Sequence, residues 1–185
     1  ALNGAPQDDD IADQSGAAYV CNRNSIGWFE VQKLKASDAE FGDNFGGSVA
    51  IYGNTLVVGA HHEYPQGIYD AGSAYLFELL GGTWTQTAKI WASDATPTAH
   101  FGYAVAIYGD RLLIGAREDD GPGGVSAGAA YVFDRVGANW VQAAKLTASD
   151  AVPFAHLGAT VSLHGDLAIA GAVQAQGPAG VQGAA

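Results

Sequence analysis

Gly16-Ala-Ala-Tyr-Val20, Gly72-Ser-Ala-Tyr-Leu76 and Gly128-Ala-Ala-Tyr-Val132 are one pentapeptide that returns at a constant interval. This repetition decides the fold, because self-similarity at a fixed period of about 56 residues marks an architecture of stacked units. The register extends outward from the pentapeptide. Trp28, Trp84 and Trp140 keep the same step, as do Lys33, Lys89 and Lys145. Ala36-Ser-Asp38, Ala92-Ser-Asp94 and Ala148-Ser-Asp150 follow, then Phe45-Gly46, Phe101-Gly102 and Leu157-Gly158. Gly59-Ala60, Gly115-Ala116 and Gly171-Ala172 close each unit, with Gly4-Ala5 as an earlier copy. Gly183-Ala-Ala185 begins a fourth copy, one position short of the same step.

Each unit reads as four short strands. Ser48-Val-Ala-Ile-Tyr52 alternates small or polar residues with apolar ones, and Thr55-Leu-Val-Val58 follows after Gly53-Asn54. Gly109-Asp110 and Gly165-Asp166 are the matching turns. Gly then Asn or Asp between two apolar runs signals a tight hairpin, because both residues accept left-handed backbone. The third strand is Ala74-Tyr-Leu-Phe77 or Ala130-Tyr-Val-Phe133, and the fourth is Trp140-Val-Gln-Ala-Ala-Lys-Leu146. Helical periodicity is absent. A four-stranded antiparallel unit at a fixed period predicts an all-β fold, a β-propeller built of blades. A β-solenoid competes, but its coils usually carry one strand each.

The chain has 185 residues, 48% of them hydrophobic, which is enough for a core. Gly is the outlier at 26 residues. Nineteen Asp and Glu face eight Lys and Arg, for a net charge of -11. That balance excludes the basic face that nucleic-acid binding needs and disfavours anionic membranes. It is compatible with divalent cations. No apolar run is long enough to span a bilayer. The single Cys21 excludes an intrachain disulfide framework and a cysteine zinc cluster. The absence of Met, even at position 1, leads us to expect a processed chain or a piece of a longer one.

Phe45-Gly46 followed by Gly59-Ala60, and Gly4-Ala5-Pro6 above all, resemble the FG-GAP repeat of integrin α subunits and of many secreted bacterial proteins. The bacterial subtype reads roughly W…KLTASDA…FG.SVAI.GD..VVGA..DDD….SGAAYVF. The resemblance runs from Trp28 through Phe77, from Trp84 through Phe133 and from Trp140 onward, essentially the whole chain. Departures are Cys21 in a Phe slot, Leu157 for the Phe of FG, and His164 for Tyr. The resemblance implies a propeller usually of about seven blades. Here we expect a partial propeller or fragment: one repeat domain over 1–185, with an incomplete first blade over 1–45, blades over 46–101 and 102–157, and an incomplete last blade over 158–185. Residues 16–35 and 158–172 are each expected to supply two strands. Open blade edges invite completion by another chain.

The resemblance also implies calcium in the loop between Gly-Ala and Gly-Ala-Ala-Tyr. Ca²⁺ takes six to eight oxygens, so closely spaced carboxylates suit it. Asp8, Asp10 and Asp13 are the candidate ligands of the first loop. Glu118, Asp119 and Asp120 are those of the third, which lacks a downstream acid. The second loop, from His61-His62-Glu63 to Asp70, is a weaker candidate, and the fourth, 173–182, has no acids. Against calcium, Asp equally well caps a solvated turn.

Other polar residues read as structural. His61 and His62 are adjacent, so on a strand their imidazoles would not converge on a metal. His100 and His156 recur with the unit, at the place of Asn44, as expected of a turn or an inter-blade hydrogen bond. Ser37-Asp38 and its copies read as side-chain-to-backbone turns. No Ser/His/Asp set, nucleophile elbow or phosphate loop appears, so no catalytic residue is expected. The recurring tryptophans are expected between blades, Trp91 as an exposed contact residue, and Cys21 as a small buried hydrophobe. The expected function is a non-enzymatic scaffold, secreted or at the cell surface, for protein interaction or adhesion. The alternatives are a structural subunit of an extracellular assembly whose blades are completed between chains, and a carbohydrate-binding propeller. Binding is expected on the loops that differ between units: 6–15, 61–71, 117–127 and 173–182.

Overall fold

The structure, a computed structural model, describes residues 1–10, 12–174, 176–177 and 180–181. The alternating apolar runs form strands, and within each sheet consecutive strands pair antiparallel. β1 (Leu2–Ala5), β2 (Ala17–Arg23) and β3 (Trp28–Leu34) form a three-stranded sheet. β4 (Ser48–Tyr52), β5 (Thr55–Ala60), β6 (Ser73–Leu80) and β7 (Thr83–Ile90) make a four-stranded sheet in that order. β8 (Phe101–Tyr108), β9 (Arg111–Ala116), β10 (Ala129–Val136) and β11 (Asn139–Leu146) make another of the same order. After them, β12 (Leu157–His164) pairs with β13 (Leu167–Ala172), and β14 (Gln176–Gly177) pairs with β15 (Gly180–Val181). Residues 16–35 supply the two strands expected of them, β2 and β3, and Leu2–Ala5 adds a third to the same sheet. Leu2 to Ala5 pair with Val20 to Ala17, just as the strand ending at Gly59-Ala60 pairs with Ala74 and Ser73.

The sheets are arranged as in a partial β-propeller. The first strands β4, β8 and β12 pack side by side, while the fourth strands β3, β7 and β11 touch only lightly. Apolar faces meet between sheets. Leu34, Phe45, Leu56, Val58, Tyr75 and Phe77 form the core between the first and second sheets. Val57, Leu76, Phe101, Leu112, Ile114, Tyr131, Phe133 and Trp140 form the next. Phe45 stands edge-on to Tyr75 and Phe77, and Phe101 repeats this against Tyr131 and Phe133. Edge-on aromatic pairs add to the apolar burial that leaning sheets provide.

The motif glycines mark where neighbouring sheets touch backbone to backbone. A Cβ on Gly59 would lie 2.0 Å from the carbonyl oxygen of Gly102, and one on Gly102 would lie 2.3 Å from that of Ser73. Gly102 also has φ +87, a conformation that side chains disfavour. The Gly of Gly-Ala and the Gly of Phe-Gly thus belong to one contact between adjacent blades. In the hairpin turns only the glycines, Gly53, Gly109 and Gly165, have positive φ. Glycine first and an ordinary second residue is the pattern of a type II′ turn, so Asn54 and Asp110 need no left-handed backbone.

The up-and-down strand order puts short turns at one end of the molecule, four residues between β2 and β3 and two in the other hairpins, and long loops at the other end. At the loop end, each linker into a new sheet is stitched to the loop of the sheet before it. Gly42 donates to the carbonyl of Asp13 (3.1 Å), Thr98 to that of Tyr69 (2.8 Å) and Phe154 to that of Val125 (2.8 Å).

Candidate functional site

The acidic loops lie over a feature repeated in every unit. Strand register sets Tyr19 opposite Lys33, Tyr75 opposite Lys89 and Tyr131 opposite Lys145. Each lysine reaches back to the acid that stands three positions after Gly-Ala: Asp8 (2.8 Å), Glu63 (2.6 Å) and Asp119 (2.8 Å). In the second and third units a further acid arrives from the preceding unit. Asp38 accepts from Lys89 (2.7 Å) and from the Tyr75 hydroxyl (2.9 Å). Asp94 does the same with Lys145 (2.8 Å) and Tyr131 (3.0 Å). Asp38 and Asp94 are therefore cross-links between blades, not the local turns expected. Their serine neighbours cross too: Ser37 N–H donates to Gln86 Oε1 (3.0 Å) and Ser93 N–H to Gln142 Oε1 (2.9 Å).

The electrostatics follow from these partners. Lys33 holds the Asp8 carboxyl below the usual range, against the opposing effect of burial. Lys33 and Lys35 together bring Asp10 down to about 2. Burial alone would lower the Lys89 ammonium, but its bonds to Asp38 and Glu63 outweigh it and hold it above the ordinary lysine value. Burial raises the Tyr75 phenol, and the charges of Glu63 and Asp38 raise it further.

The structure brings some of the calcium candidates together and not others. Asp8 and Asp10 converge on Lys33, and Asp10 also pairs with Lys35 (2.9 Å). Asp13 stands apart from them in its contacts. Its backbone carbonyl accepts from Gly42, and among the described residues it joins no compact group of ligand atoms with Asp8 and Asp10. In the third loop the three carboxylates turn to three different partners. Glu118 pairs with Arg117 (2.8 Å), Asp119 is buried on Lys145, and Asp120 accepts from the Ser126 N–H (2.8 Å). Ammonium groups supply the positive charge that closely spaced aspartates require. The recurrence of the lysines and tyrosines is plain in the sequence, but their pairing with the loops is not. The signal was the constant interval from each tyrosine to its lysine, which places the two across one hairpin. The fourth loop and the Gly183-Ala-Ala185 copy fall largely outside the described residues.

Of the aromatic candidates, Trp84 and Trp140 pack into the inter-blade cores, whereas Trp28, on the first sheet, is 61% exposed. Trp91 is half-buried beside Phe133 and Trp140 in a shallow cavity of about 220 Å³, not a free contact residue. Cys21 is half-buried, although Phe77 and Phe133 in its slot are buried. At the turn end a cavity of about 400 Å³ is lined by Tyr108, Arg111, Asp134, Arg135 and Asp166. Most of its charges are already paired, Arg111 with Asp134 (2.7 Å) and Asp166 (3.1 Å), and Arg135 with Glu78.

Exposed apolar residues at the turn end include the aliphatic Ile26, Leu80, Val136 and Leu167, whereas aromatic ones are prominent at the loop end. Phe41, Tyr64, Tyr69, Val125 and Phe154 are all exposed there, and Tyr64 and Tyr69 stack edge to face at 5.2 Å. None of the five recurs in all three units. Among the described residues, no helix is long and apolar enough to cross a membrane.

No curated protein gives a significant match to the chain. The FG-GAP repeat family matches it three times, over residues 28–77, 84–133 and 140–185. These matches cover most of the sequence, and the glycine contacts and inter-blade aromatics explain why the motif is built as it is. The chain belongs to the FG-GAP repeat family.

Proposed function

We propose that this chain is a non-catalytic scaffold, part of a secreted or cell-surface propeller, whose loop end binds another protein. FG-GAP repeats form propeller-type domains that are typical of extracellular or surface proteins and often serve adhesion or interaction; they are typically not enzymes. The observation that carries the reading is the division of labour between positions. Most residues that recur with the unit are used up in packing and inter-blade bonds, Trp28 on the first sheet being an exposed exception. The apolar residues left exposed at the loop end are those that do not recur. Exposed aromatics on a rigid base are what protein interfaces use as anchors.

The test is photo-crosslinking from the loop end against the turn end, in the secretions or on the surface of the source cells. A photoreactive residue at Tyr69 should capture a protein that one at Leu80 does not. Equal capture from both positions, or none from Tyr69, would end the proposal.

A second reading is a structural subunit whose blades are completed between copies. It is favoured by Ile169, which is 55% exposed while its counterparts Val57 and Leu113 are fully buried, and by Leu167 beside it, 74% exposed where the other units carry Thr55 and Arg111. Calcium is proposed for the first loop alone, where Asp8 and Asp10 meet; a Ca²⁺ ion there would have to displace the Lys33 ammonium. Calcium titration by calorimetry, comparing the chain with Asp10→Asn, tests it: loss of the binding heat in the variant supports the site, and no heat in the parent chain removes it.

A further inference from the structure

The structure assigns a transition-metal site to His62, Asp70 and His100 at the junction of the second and third sheets. One ligand atom from each of the three lies within 4.8 Å of the other two. The rings of His62 and His100 stand 4.7 Å apart, and His62 Nδ1 is 3.5 Å from Asp70 Oδ1. His61 is not a member, so the adjacent pair does not chelate. The second imidazole comes instead from far downstream, on the linker into the next sheet.

The backbone holds the three carriers in place without help from a metal. His62 follows closely on strand β5, and His100 N–H donates to the Asp70 carbonyl at 3.3 Å. The same bond recurs in the neighbouring units, from Asn44 to Gln14 (3.2 Å) and from His156 to Ser126 (3.2 Å). The left-handed backbone recurs with it: φ is 56, 50 and 50 at Gln14, Asp70 and Ser126, and 55, 57 and 59 at Asn44, His100 and His156.

The scaffold thus asks for two left-handed residues joined by a backbone bond, and it is satisfied elsewhere by Gln14 with Asn44 and by Ser126 with His156. At the positions of His62, Asp70 and His100 the first unit carries Gln7, Gln14 and Asn44, and the third carries Glu118, Ser126 and His156. Of these three units, the second alone places two imidazoles and a carboxylate there. Folding does not explain that choice. The cluster also has imidazole nitrogens to spare: His100 Nδ1, like that of the adjoining His61, is buried and has no hydrogen-bond partner. Glu118, an acid 3.6 Å from it, is engaged by Arg117.

Two imidazoles and one carboxylate are the donor set of borderline ions, Zn²⁺ above all, with a fourth position left for water or an incoming ligand. Zn²⁺ bonds of about 2.0–2.1 Å set tetrahedral ligand atoms roughly 3.4 Å apart, so the set must close by about an ångström. An ion here would staple the loop of one blade to the linker of the next. Hard, oxygen-seeking Ca²⁺ should not compete for it.

The sibling units supply the test variants. Untagged, metal-stripped chain is titrated with ZnCl₂ by calorimetry and with Co²⁺ by visible absorption. We expect one ion per chain, micromolar or tighter affinity, Co²⁺ bands of a low-coordinate site, and no displacement by millimolar Ca²⁺. His62→Gln and His100→Asn install the first unit's residues, and Asp70→Ser installs the third unit's. Each should weaken Zn²⁺ binding at least about tenfold. His156→Asn should leave it unchanged. X-ray absorption of the Zn²⁺-loaded parent chain, which depends on no variant's stability, should show two imidazoles. An all-oxygen shell, the lack of Zn²⁺ binding, or undiminished affinity in both His62→Gln and His100→Asn would overturn the assignment.

Discussion

Lys89, like Lys145 in the next unit, ties two units together. Its ammonium bonds Glu63 of its own unit and Asp38 of the unit before, and it lies over the Tyr75 ring at 5.3 Å. Glu63 is buried, so removing the ammonium strands its carboxylate without compensation, whereas the half-exposed Asp38 can turn to water. Lys89→Met should therefore cost about 2–4 kcal/mol of unfolding free energy in urea, well beyond what an exposed lysine contributes. Tyr75→Phe removes only the bond to Asp38 and should cost about 1 kcal/mol. Equal, small effects of both would show that the network is ornamental. Asp43 breaks the repeat in the opposite sense. It is 2% exposed, at the place of the buried Ala99 and Ala155. Burial raises its carboxyl to about 6, with Glu63 adding to the rise against the bond from the Glu40 N–H. Between the ordinary value of 3.8 and about 6 the native chain keeps a proton that the unfolded chain has released. The stability this group contributes is complete below 3.8 and is lost as pH rises through about 6, by up to about 3 kcal/mol. Asp43→Asn keeps an acceptor for Glu40 and should flatten the profile between pH 4 and 6 and raise stability at pH 7. Denaturation midpoints of the two proteins over that range decide it. None of this was legible in the sequence, where Asp43 was one acid among nineteen.

At the scale of the element, the strands themselves were legible, because a period of two in apolar residues broken by Gly-Asn or Gly-Asp has few other readings. What was not legible is the irregularity within them. The third and fourth strands slip register at the same place in every unit, between Val20 and Cys21, Leu76 and Phe77, and Val132 and Phe133. The slip sets Gln86 opposite Phe77 and Gln142 opposite Phe133, and those two glutamines are the ones that reach the serines of the preceding unit. A bulge redirects a side chain without altering the composition of the strand, so alternation alone could not show it. The surroundings of Glu118, Asp119 and Asp120 were hidden in the same way. Spacing showed three adjacent carboxylates, but only the fold showed Lys145 beneath one of them. Glycines divide by the same criterion of what lies nearby. Gly109 sits in a turn where an added Cβ would meet nothing within 4 Å, so Gly109→Ala strains only φ and should cost on the order of 1 kcal/mol. Gly102→Ala drives a methyl into the Ser73 carbonyl and should abolish folding or cost several times more. Thermal midpoints of the two variants test whether the FG-GAP glycines mark blade contacts or merely turns.

For the molecule as a whole, stability is a matter of neighbours. Each sheet buries its apolar faces on the next, so energy resides at the junctions more than within the blades. Val57 of the second sheet packs into the core shared with the third, and Leu113, at the same place in the third sheet, is likewise fully buried. The β12–β13 sheet is different, since Ile169 presents that position to solvent and Leu167 is exposed beside it. Burying a side chain of this kind yields roughly 1.5–3 kcal/mol, so two of them suffice to drive weak association but not a tight complex. If blades are completed between copies, the chain should associate reversibly. Its weight-average mass by sedimentation should then rise with concentration across the micromolar range. Leu167→Lys with Ile169→Lys should hold it at the monomer mass and leave the thermal midpoint of the dilute protein unchanged, because neither residue is part of a filled junction. A parent chain that stays monomeric throughout would remove the between-copy reading and leave the loop end as the binding surface. Association that survives the double lysine variant would move the interface elsewhere, with the exposed Trp28, Phe29 and Val31 of β3 as the next face to charge.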